Sequence, residues 1–207
     1  MQQSQQAFNA QLDAAAELDL KIKRVIDELG YPEPRERAHG FETMLRIIVS
    51  QQLSTKAAAS IWGRVEAVCD KQVSTKKVLA TPDEALRECG LSWQKVSYAK
   101  ALAERIDSGV LCSNALVKMP TDEAIKALTE IKGYGIWSAE IYAMFALGRP
   151  DIFPAGDLAL QVAVQRLEEL DEKPSEKLTR EIALRWSPHQ SAVAVLMWHY
   201  YGATTLS

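Results

Sequence analysis

Apolar residues recur at helical spacing along most of the chain. They do so in FETMLRIIVSQ (41–51), WQKVSYAKALAERI (93–106) and LALQVAVQRL (158–167). This spacing is typical of helices that bury one face in a core. No substantial run alternates apolar and polar residues, so no substantial sheet is expected. The sequence therefore predicts an all-α protein of about nine or ten helices.

Helix start signals support this interpretation. TPDE (81–84) combines an N-cap residue, a proline at the first helical position and a capping-box glutamate. SPHQ (187–190) repeats that order with glutamine in the last place. Breaks rich in turn residues lie at 31–40, around 107–120 and at 148–156.

Composition fits an ordinary globular protein. Hydrophobic residues make up 47% of the 207 positions, yet no apolar run approaches the roughly 18 residues of a membrane span. The first residues, MQQSQQAFNAQLDAAAELDLKIK, lack the basic start and apolar core of a secretory signal. We therefore expect a cytosolic or nuclear protein without a membrane partner.

The balance of charges and the numbers of cysteines and histidines exclude few functions. The formal net charge of −3 argues mildly against nucleic acid, but residues 71–105 carry seven Lys/Arg against four Asp/Glu. Residues 166–181 carry six acids against four bases, so a basic binding face is permitted, with two solvated faces as the alternative. Three widely spaced cysteines and three distant histidines predict neither a zinc centre nor an iron–sulfur cluster.

A tight glycine turn joins two predicted helices in LTEIKGYGIWSAE (128–140). The first helix is expected to end near Ile131 and the second to begin near Ile136. Gly133 and Gly135 supply positive φ or close approach without a Cβ. Unpaired amides at the start of the second helix, together with its dipole, favour an anion such as phosphate. A plain αα-hairpin without a ligand is the alternative.

Asp157 follows the turn FPAG (153–156) and precedes an amphipathic helix. An acid at this position is the expected N-cap of the following helix. Local amides keep such a carboxylate ionised. Local context alone therefore favours a cap over a catalytic group.

Three segments together resemble the helix–hairpin–helix–GPD DNA glycosylase superfamily, and within it the branch of 3-methyladenine DNA glycosylase II. FETMLRIIVSQQLSTKAAASIW (41–62) is similar to the early helix pair of that branch, and WSPHQSAVAVLMW (186–198) to its last helix. The resemblance extends over most of the chain, from about 41 to 200. In the hairpin and the loop after it, the matching residues are Leu128, Ile131, Gly133, Tyr134, Gly135, Trp137, Ser138, Ala139, Phe153, Pro154, Gly156 and Asp157.

The resemblance implies two helical domains that flank a DNA-binding cleft. A central domain is expected at residues 36–150, ending in a helix–hairpin–helix at about 121–147. A second domain is expected to combine residues 1–35 with 151–207 and to present Asp157 to the cleft. We expect the chain to lack the N-terminal β-rich domain that many relatives carry.

The resemblance also implies base excision from DNA. Such an enzyme flips the damaged nucleotide out and hydrolyses its N-glycosidic bond while positive charge develops on the sugar. Asp157 is expected to stabilise that charge and to orient or deprotonate water. The implied substrates are alkylated purines, chiefly 3-methyladenine with 7-methylguanine as a second candidate, because their positive charge makes them good leaving groups. Asp151 is assigned to turn chemistry.

Three aromatic residues are expected near the flipped base. Trp137 and Trp198 match family positions that line the base pocket, and Tyr134 is expected at the hairpin tip near the backbone or the pocket rim. Stacking and cation–π attraction would hold a cationic purine there. Core packing is the alternative for Trp198, and it is what we expect of Trp62 and Trp93.

Trp137 also separates two kinds of glycosylase. Relatives that nick the strand carry lysine at this position and form a Schiff base with the sugar, which tryptophan cannot do. The implied enzyme is monofunctional and leaves an abasic site. The alternatives are a non-catalytic hairpin module that binds DNA and, disfavoured by Trp137 and by the lack of a cysteine cluster, a bifunctional glycosylase–lyase.

The gap left by a flipped base needs a plug. The resemblance puts Gln52 at this position and Ser54 close by in the minor groove, with Leu53 as the alternative plug. Apolar wedges are common, so glutamine is a departure that would plug by hydrogen bonding with less unstacking. A simple polar pair at a helix junction is the alternative without DNA. Gln190 departs as well, because many relatives have arginine there.

The remaining expectations concern phosphate, ions and assembly. Phosphate contacts are expected from Gly133, Gly135, Lys132 and Lys95, the last in a stretch resembling the family's GLS-x-x-K segment, with a solvated lysine as the alternative. No cofactor is required, and a structural Na⁺ or K⁺ is a candidate ligand of the backbone carbonyls of Thr129, Ile131 and Tyr134. The expected partner is double-stranded DNA with alkylated bases, bound by a monomer. The expected compartment is the bacterial cytoplasm at the nucleoid, or the eukaryotic nucleus.

Overall fold

The computed structural model describes residues 4–205 and contains no strand within that range. The α-helices are α1 Gln5–Leu18, α2 Leu20–Leu29, α3 Phe41–Ser50, α4 Thr55–Val68, α5 Thr75–Ala80, α6 Asp83–Glu88, α7 Trp93–Asp107, α8 Ser113–Lys118, α9 Thr121–Thr129, α10 Ile136–Phe145, α11 Leu158–Glu168, α12 Glu176–Ala183 and α13 Gln190–Thr205. A turn of 3-10 helix, Leu184–Trp186, precedes α13. The all-α prediction is confirmed. The predicted number of helices is too low, because α5, α6 and α8 have only six residues each and show little periodicity.

The chain divides into two compact units. The first unit takes the chain up to Glu36 together with everything from Gly148 onward, and the second takes Arg37–Leu147. The extreme ends of the predicted second domain, residues 1–3 and 206–207, lie outside the described residues. The first unit is therefore built from two distant parts of the chain, whereas the second is one continuous segment.

The first unit is centred on α13. This helix packs against α1, α2 and α11, and its residues 192–197 are all buried. Leu12 of α1 and Ile22 of α2 are fully buried in the same unit. Asp151 ties the loop after α10 to the start of α13, because its carboxylate accepts from the Ser187 hydroxyl at 2.7 Å and the Gln190 amide at 2.8 Å.

The second unit is centred on α3, α7 and α10. Helix α3 packs on α4, α7 and α10, and α9 packs on α10 as the two arms of the glycine hairpin. Residues 138–144 of α10 are all buried, and so are residues 43–45 and 47–49 of α3. These buried faces fix the hairpin on the core of the unit.

The two predicted capping boxes do not form. Helix α6 begins after Pro82, and the Thr81 hydroxyl donates to the Lys77 carbonyl at the end of α5. Thr81 therefore closes the preceding helix. Helix α13 begins only at Gln190, three residues after Ser187, so Ser187 is not its N-cap. The Ser187 hydroxyl and the Gln190 amide both donate to the Asp151 carboxylate.

The three cysteines are free thiols. Cys69 and Cys89 are buried, and burial raises the pKa of each thiol, whereas Cys112 is exposed. Between residues 4 and 205, no cluster of three His, Cys, Asp or Glu side chains is suited to a metal ion. Over the same range, no helix is both long and apolar enough to cross a membrane.

Candidate active site

Asp157 is the N-cap of α11. Its Oδ1 accepts from the backbone N–H groups of Ala159 at 2.9 Å and Leu160 at 3.1 Å. The indole Nε1–H of Trp198 donates to the same oxygen at 3.2 Å. Three donors on one oxygen fix the orientation of a half-buried carboxylate. The cap predicted from local context is therefore present, and an indole donor is added to it.

Trp198 joins α13 to this carboxylate. Its ring is half-buried, and the Arg35 guanidinium carbon lies 5.9 Å from the ring centroid. Sequence reasoning weighed Trp198 only between pocket and core and missed its hydrogen bond to Asp157. It also missed Arg35, which lies in the turn-rich break at 31–40, where no helical periodicity indicates which side chain faces inward.

The loop before Asp157 is anchored to the first unit. Phe153 is 2% exposed and packs on Trp186 with ring centroids 5.4 Å apart. The Gln161 amide donates to the Ala155 carbonyl at 2.8 Å, and Lys173 donates to the Gln161 oxygen at 2.6 Å. These contacts hold the backbone that leads into Asp157. The backbone before Asp157 and the side chain of Asp157 are therefore both held in place. Such support is what a preorganised carboxylate requires.

The glycine hairpin lies in the second unit. Gly133 has φ +84°, and a Cβ there would come within 3.0 Å of the Tyr98 ring. Gly135 differs, because its φ is −79° and no atom of the described residues lies within 4 Å of where its Cβ would be. Of the two glycines, Gly133 has the predicted positive φ and Gly135 does not.

The start of α10 is open. Gly135 is the N-cap residue, and among the described side chains none caps the helix. Lys132 is exposed and donates to the Ser97 hydroxyl at 2.9 Å. The Tyr134 N–H donates to the Ile131 carbonyl at 2.9 Å and so closes the turn.

Tyr134 packs inside the second unit and does not lie at an exposed rim. Its side chain is 3% exposed, and its hydroxyl donates to the Met44 carbonyl at 3.3 Å. Burial raises the pKa of the phenol well above its ordinary value. Tyr134 therefore lies in the core of the second unit and not at an exposed rim. The sequence GYG alone does not indicate whether the tyrosine faces the core or solvent.

The other tryptophans divide between core and surface. Trp62 is 5% exposed with the Arg46 guanidinium 4.4 Å from its ring centroid, which confirms core packing. Trp93 is 57% exposed, so the prediction of core packing there is wrong. Trp137 is half-buried in the first turn of α10 and belongs to the second unit, whereas Trp198 belongs to the first.

The loop between α3 and α4, residues 51–54, is called the wedge loop. Gln52 is exposed and has φ +55°, a left-handed conformation that costs a non-glycine residue on the order of 1 kcal/mol. Leu53 is 39% exposed. The Ser54 hydroxyl accepts from the Ala57 N–H at 3.2 Å as the N-cap of α4.

Gln51 joins the wedge loop to the hairpin. Its amide donates to the Gly133 carbonyl at 2.8 Å and to the Ser138 hydroxyl at 3.0 Å. Sequence reasoning missed this residue. The available signal was the pair of glutamines directly after α3, because two polar residues in a row at a helix end offer one side chain to a neighbouring backbone.

Lys95 supports the same loop. Its ammonium donates to the carbonyls of Val49 at 2.8 Å and Gln51 at 2.7 Å, and burial lowers its pKa. The expected phosphate contact is therefore corrected, because this lysine is directed at the last turn of α3. The positive charge of Lys95 also interacts favourably with the negative C-terminal end of the α3 dipole.

Replacing Lys95 by methionine is expected to lower the free energy of unfolding by about 1–3 kcal/mol, because two part-buried carbonyls lose their donor. Thermal or chemical unfolding measures this loss. Lys132→Met is the matched control and is expected to leave stability nearly unchanged, since its ammonium is exposed. Equal stability of both variants and the wild type would contradict the supporting role of Lys95.

The sequence of this chain is similar to those of known DNA repair proteins. The chain matches the model of the HhH-GPD superfamily base excision DNA repair protein over residues 45–189. DNA-3-methyladenine glycosylase 1 of Schizosaccharomyces pombe is 30% identical over 187 residues, which cover 87% of this chain and 82% of that protein.

Solved structures agree with the sequence comparison. The 3-methyladenine DNA glycosylase of S. pombe in complex with abasic DNA has a TM-score of 0.86 and 28% identity, and the match covers 91% of this chain and 95% of that one. A DNA-3-methyladenine glycosidase of Bacillus halodurans has a TM-score of 0.82 and 30% identity over 95% of this chain and 91% of that one.

Proposed function

The chain belongs to the HhH-GPD superfamily of base excision DNA repair proteins, and we propose that it is a monofunctional glycosylase that excises alkylated purines. The observation that carries this proposal is the Asp157 carboxylate, oriented by two backbone amides and the Trp198 indole. A hairpin that only clamps DNA needs no acid directly behind the FPAG turn. 3-Methyladenine is the first candidate substrate and 7-methylguanine the second.

The reaction needs little from the protein besides electrostatics. As the bond between C1′ and the purine nitrogen breaks, its electron pair leaves with the base and positive charge develops on the sugar. The fixed carboxylate of Asp157 stabilises that charge and orients the water that attacks C1′. The proton released by the water passes to the carboxylate or to solvent. The products are a free base and an abasic site.

Hydrolysis is favoured over strand cleavage. Trp137 has no amine to form a Schiff base with the sugar, so water is the nucleophile. Trp137 and Trp198 each carry an electron-rich ring of the kind that binds a cationic base, and no such role is proposed for the buried Tyr134. These assignments make the enzyme monofunctional.

DNA is held through the hairpin and the wedge loop. The uncapped amides at the start of α10 bind a phosphate, and the exposed Lys132 adds a charge beside them. Gln52 plugs the gap left by the flipped nucleotide, because its exposed, left-handed position at the loop tip projects the side chain outward. Leu53, 39% exposed, is the alternative plug.

A monovalent cation is a further part of the proposal. The carbonyls of Thr129, Ile131 and Tyr134 belong to the end of α9 and the glycine turn. The Ile131 oxygen accepts one N–H bond there, and a carbonyl oxygen with one such bond keeps a second lone pair. Na⁺ or K⁺ there would add positive charge near the bound phosphate. The enzyme is expected to act as a monomer on double-stranded DNA and to need no cofactor for chemistry.

Base release from an alkylated duplex tests the function. The products are separated by chromatography, and the DNA strand is examined before and after alkaline treatment. We expect free 3-methyladenine and a strand that breaks only in alkali. Strand breaks without alkali would indicate a lyase, and DNA binding without base release would leave only a binding module.

Gly135→Leu is expected to weaken binding about tenfold to damaged and undamaged duplexes alike, since the hairpin contacts phosphate and carries no sequence information. Fluorescence anisotropy with both duplexes measures the effect. Gly63→Leu is the control, because this glycine of α4 also has open space around it among the described residues. A loss confined to damaged DNA would contradict the assignment of the hairpin.

A further inference from the structure

Trp93 is an exposed aromatic residue at the first position of α7. Its side chain is 57% exposed, and Ser92 caps the helix directly before it. Tryptophan carries more apolar surface than other side chains, so leaving it in water forgoes stabilisation that burial would bring. Packing within the unit therefore does not account for Trp93, and a contact with a binding partner does.

The first two turns of α7 contact both parts of the proposed DNA-binding surface. Lys95 holds the Gln51 carbonyl of the wedge loop. Ser97 accepts from Lys132 of the hairpin at 2.9 Å. Trp93 and Ser97 are four residues apart and therefore share one face of α7. Trp93 thus lies on the helix face that meets the hairpin lysine.

The surroundings of Trp93 are basic. The Arg87 guanidinium carbon lies 5.5 Å from the ring centroid, and Arg87 also donates to the Leu91 carbonyl. Residues 71–105 carry seven basic against four acidic side chains. Positive charge beside an exposed aromatic ring is the combination that binds nucleic acid through phosphate attraction and base stacking.

We propose that Trp93 is a DNA contact that stacks on a nucleobase next to the wedge loop. The inference rests on the proposed function, because the wedge loop opens the base stack only if the enzyme flips a nucleotide. Flipping a nucleotide out of the duplex leaves the neighbouring base with an uncovered π-face, on which the indole can pack. The contact is non-ionic and independent of sequence.

Trp93→Ala is expected to weaken binding to a duplex with an abasic analogue about tenfold, the usual effect of losing one stacking contact. The slope of log Kd against log salt should stay unchanged, because no counterion is displaced by an indole. Trp93→Phe is expected to restore most of the affinity. Lys132→Met is expected to lower that slope by about one.

Val110→Ala is the matched control, since Val110 is 68% exposed in the same unit. This variant is expected to bind the duplex as tightly as the wild type does. Circular dichroism and thermal melting establish that each variant is folded. A wild-type protein that does not bind this duplex contradicts the proposed function. If the wild type binds and the Trp93→Ala variant binds equally well, the stacking contact is contradicted and the proposed function is not. A changed salt slope in the Trp93→Ala variant has the same meaning.

Discussion

Replacing Asp157 by asparagine is expected to lower the rate of base release at least about 100-fold, as removal of one preorganised electrostatic group from an active site does. Asparagine is as good an N-cap as aspartate, so Ala159 and Leu160 keep an acceptor for their N–H groups. The lost feature is the negative charge beside the sugar. Single-turnover release measures the rate, and binding to an abasic duplex is expected to be retained.

Asp19 provides a matched control within the same unit. It is the N-cap of α2, and its carboxylate accepts from the Lys21 N–H at 2.9 Å and the Trp186 indole at 2.8 Å. Arg185 adds an ion pair at 2.9 Å. Asp19→Asn is therefore expected to lower stability while the folded protein releases base normally. An active Asp157→Asn variant, or an equal loss in both, would mean that Asp157 acts only as a cap.

Replacing Gly133 by alanine is expected to have the second largest effect. The residue has φ +84°, and a Cβ would overlap the Tyr98 ring. We expect a loss of about 2–4 kcal/mol in the free energy of unfolding, from overpacking and a left-handed backbone together. DNA binding should fall as well, since Gln51 bonds to the Gly133 carbonyl. Denaturant unfolding and anisotropy measure the two effects.

Two variants separate the causes of the Gly133 effect. Gly135→Ala is expected to be within about 0.5 kcal/mol of the wild type, because its φ is negative and its surroundings among the described residues are open. Combining Gly133→Ala with Tyr98→Ala is expected to cost less than the sum of the two, since the clash is then removed. Additive losses would show that the ring does not constrain this glycine.

Elements with strong periodicity were predictable from the sequence. Helices α3, α7 and α11 begin at the predicted residues Phe41, Trp93 and Leu158, because each buries one regular face. The cap at Asp157 was also predictable, since an acid between a turn and an amphipathic helix has few other roles. These features depend on neighbours in sequence.

Contacts between distant residues were not predictable. Lys95 has the charge of a phosphate ligand, but its direction depends on where the α3 carbonyls end. Tyr134 lies just before α10 and Trp93 is the first residue of α7, yet Tyr134 is 3% exposed and Trp93 is 57% exposed. Side-chain direction at a helix start depends on which neighbour packs there, and the pattern of the chain does not contain that information.

The construction of the first unit has a consequence for synthesis of the protein. Domains generally fold as units and in the order of translation, so the continuous segment Arg37–Leu147 can fold while the chain is still being made. Asp157 gains the Trp198 donor only when α13 has left the ribosome. Translation therefore completes the hairpin before the carboxylate is fully held, and catalysis waits for the last helix.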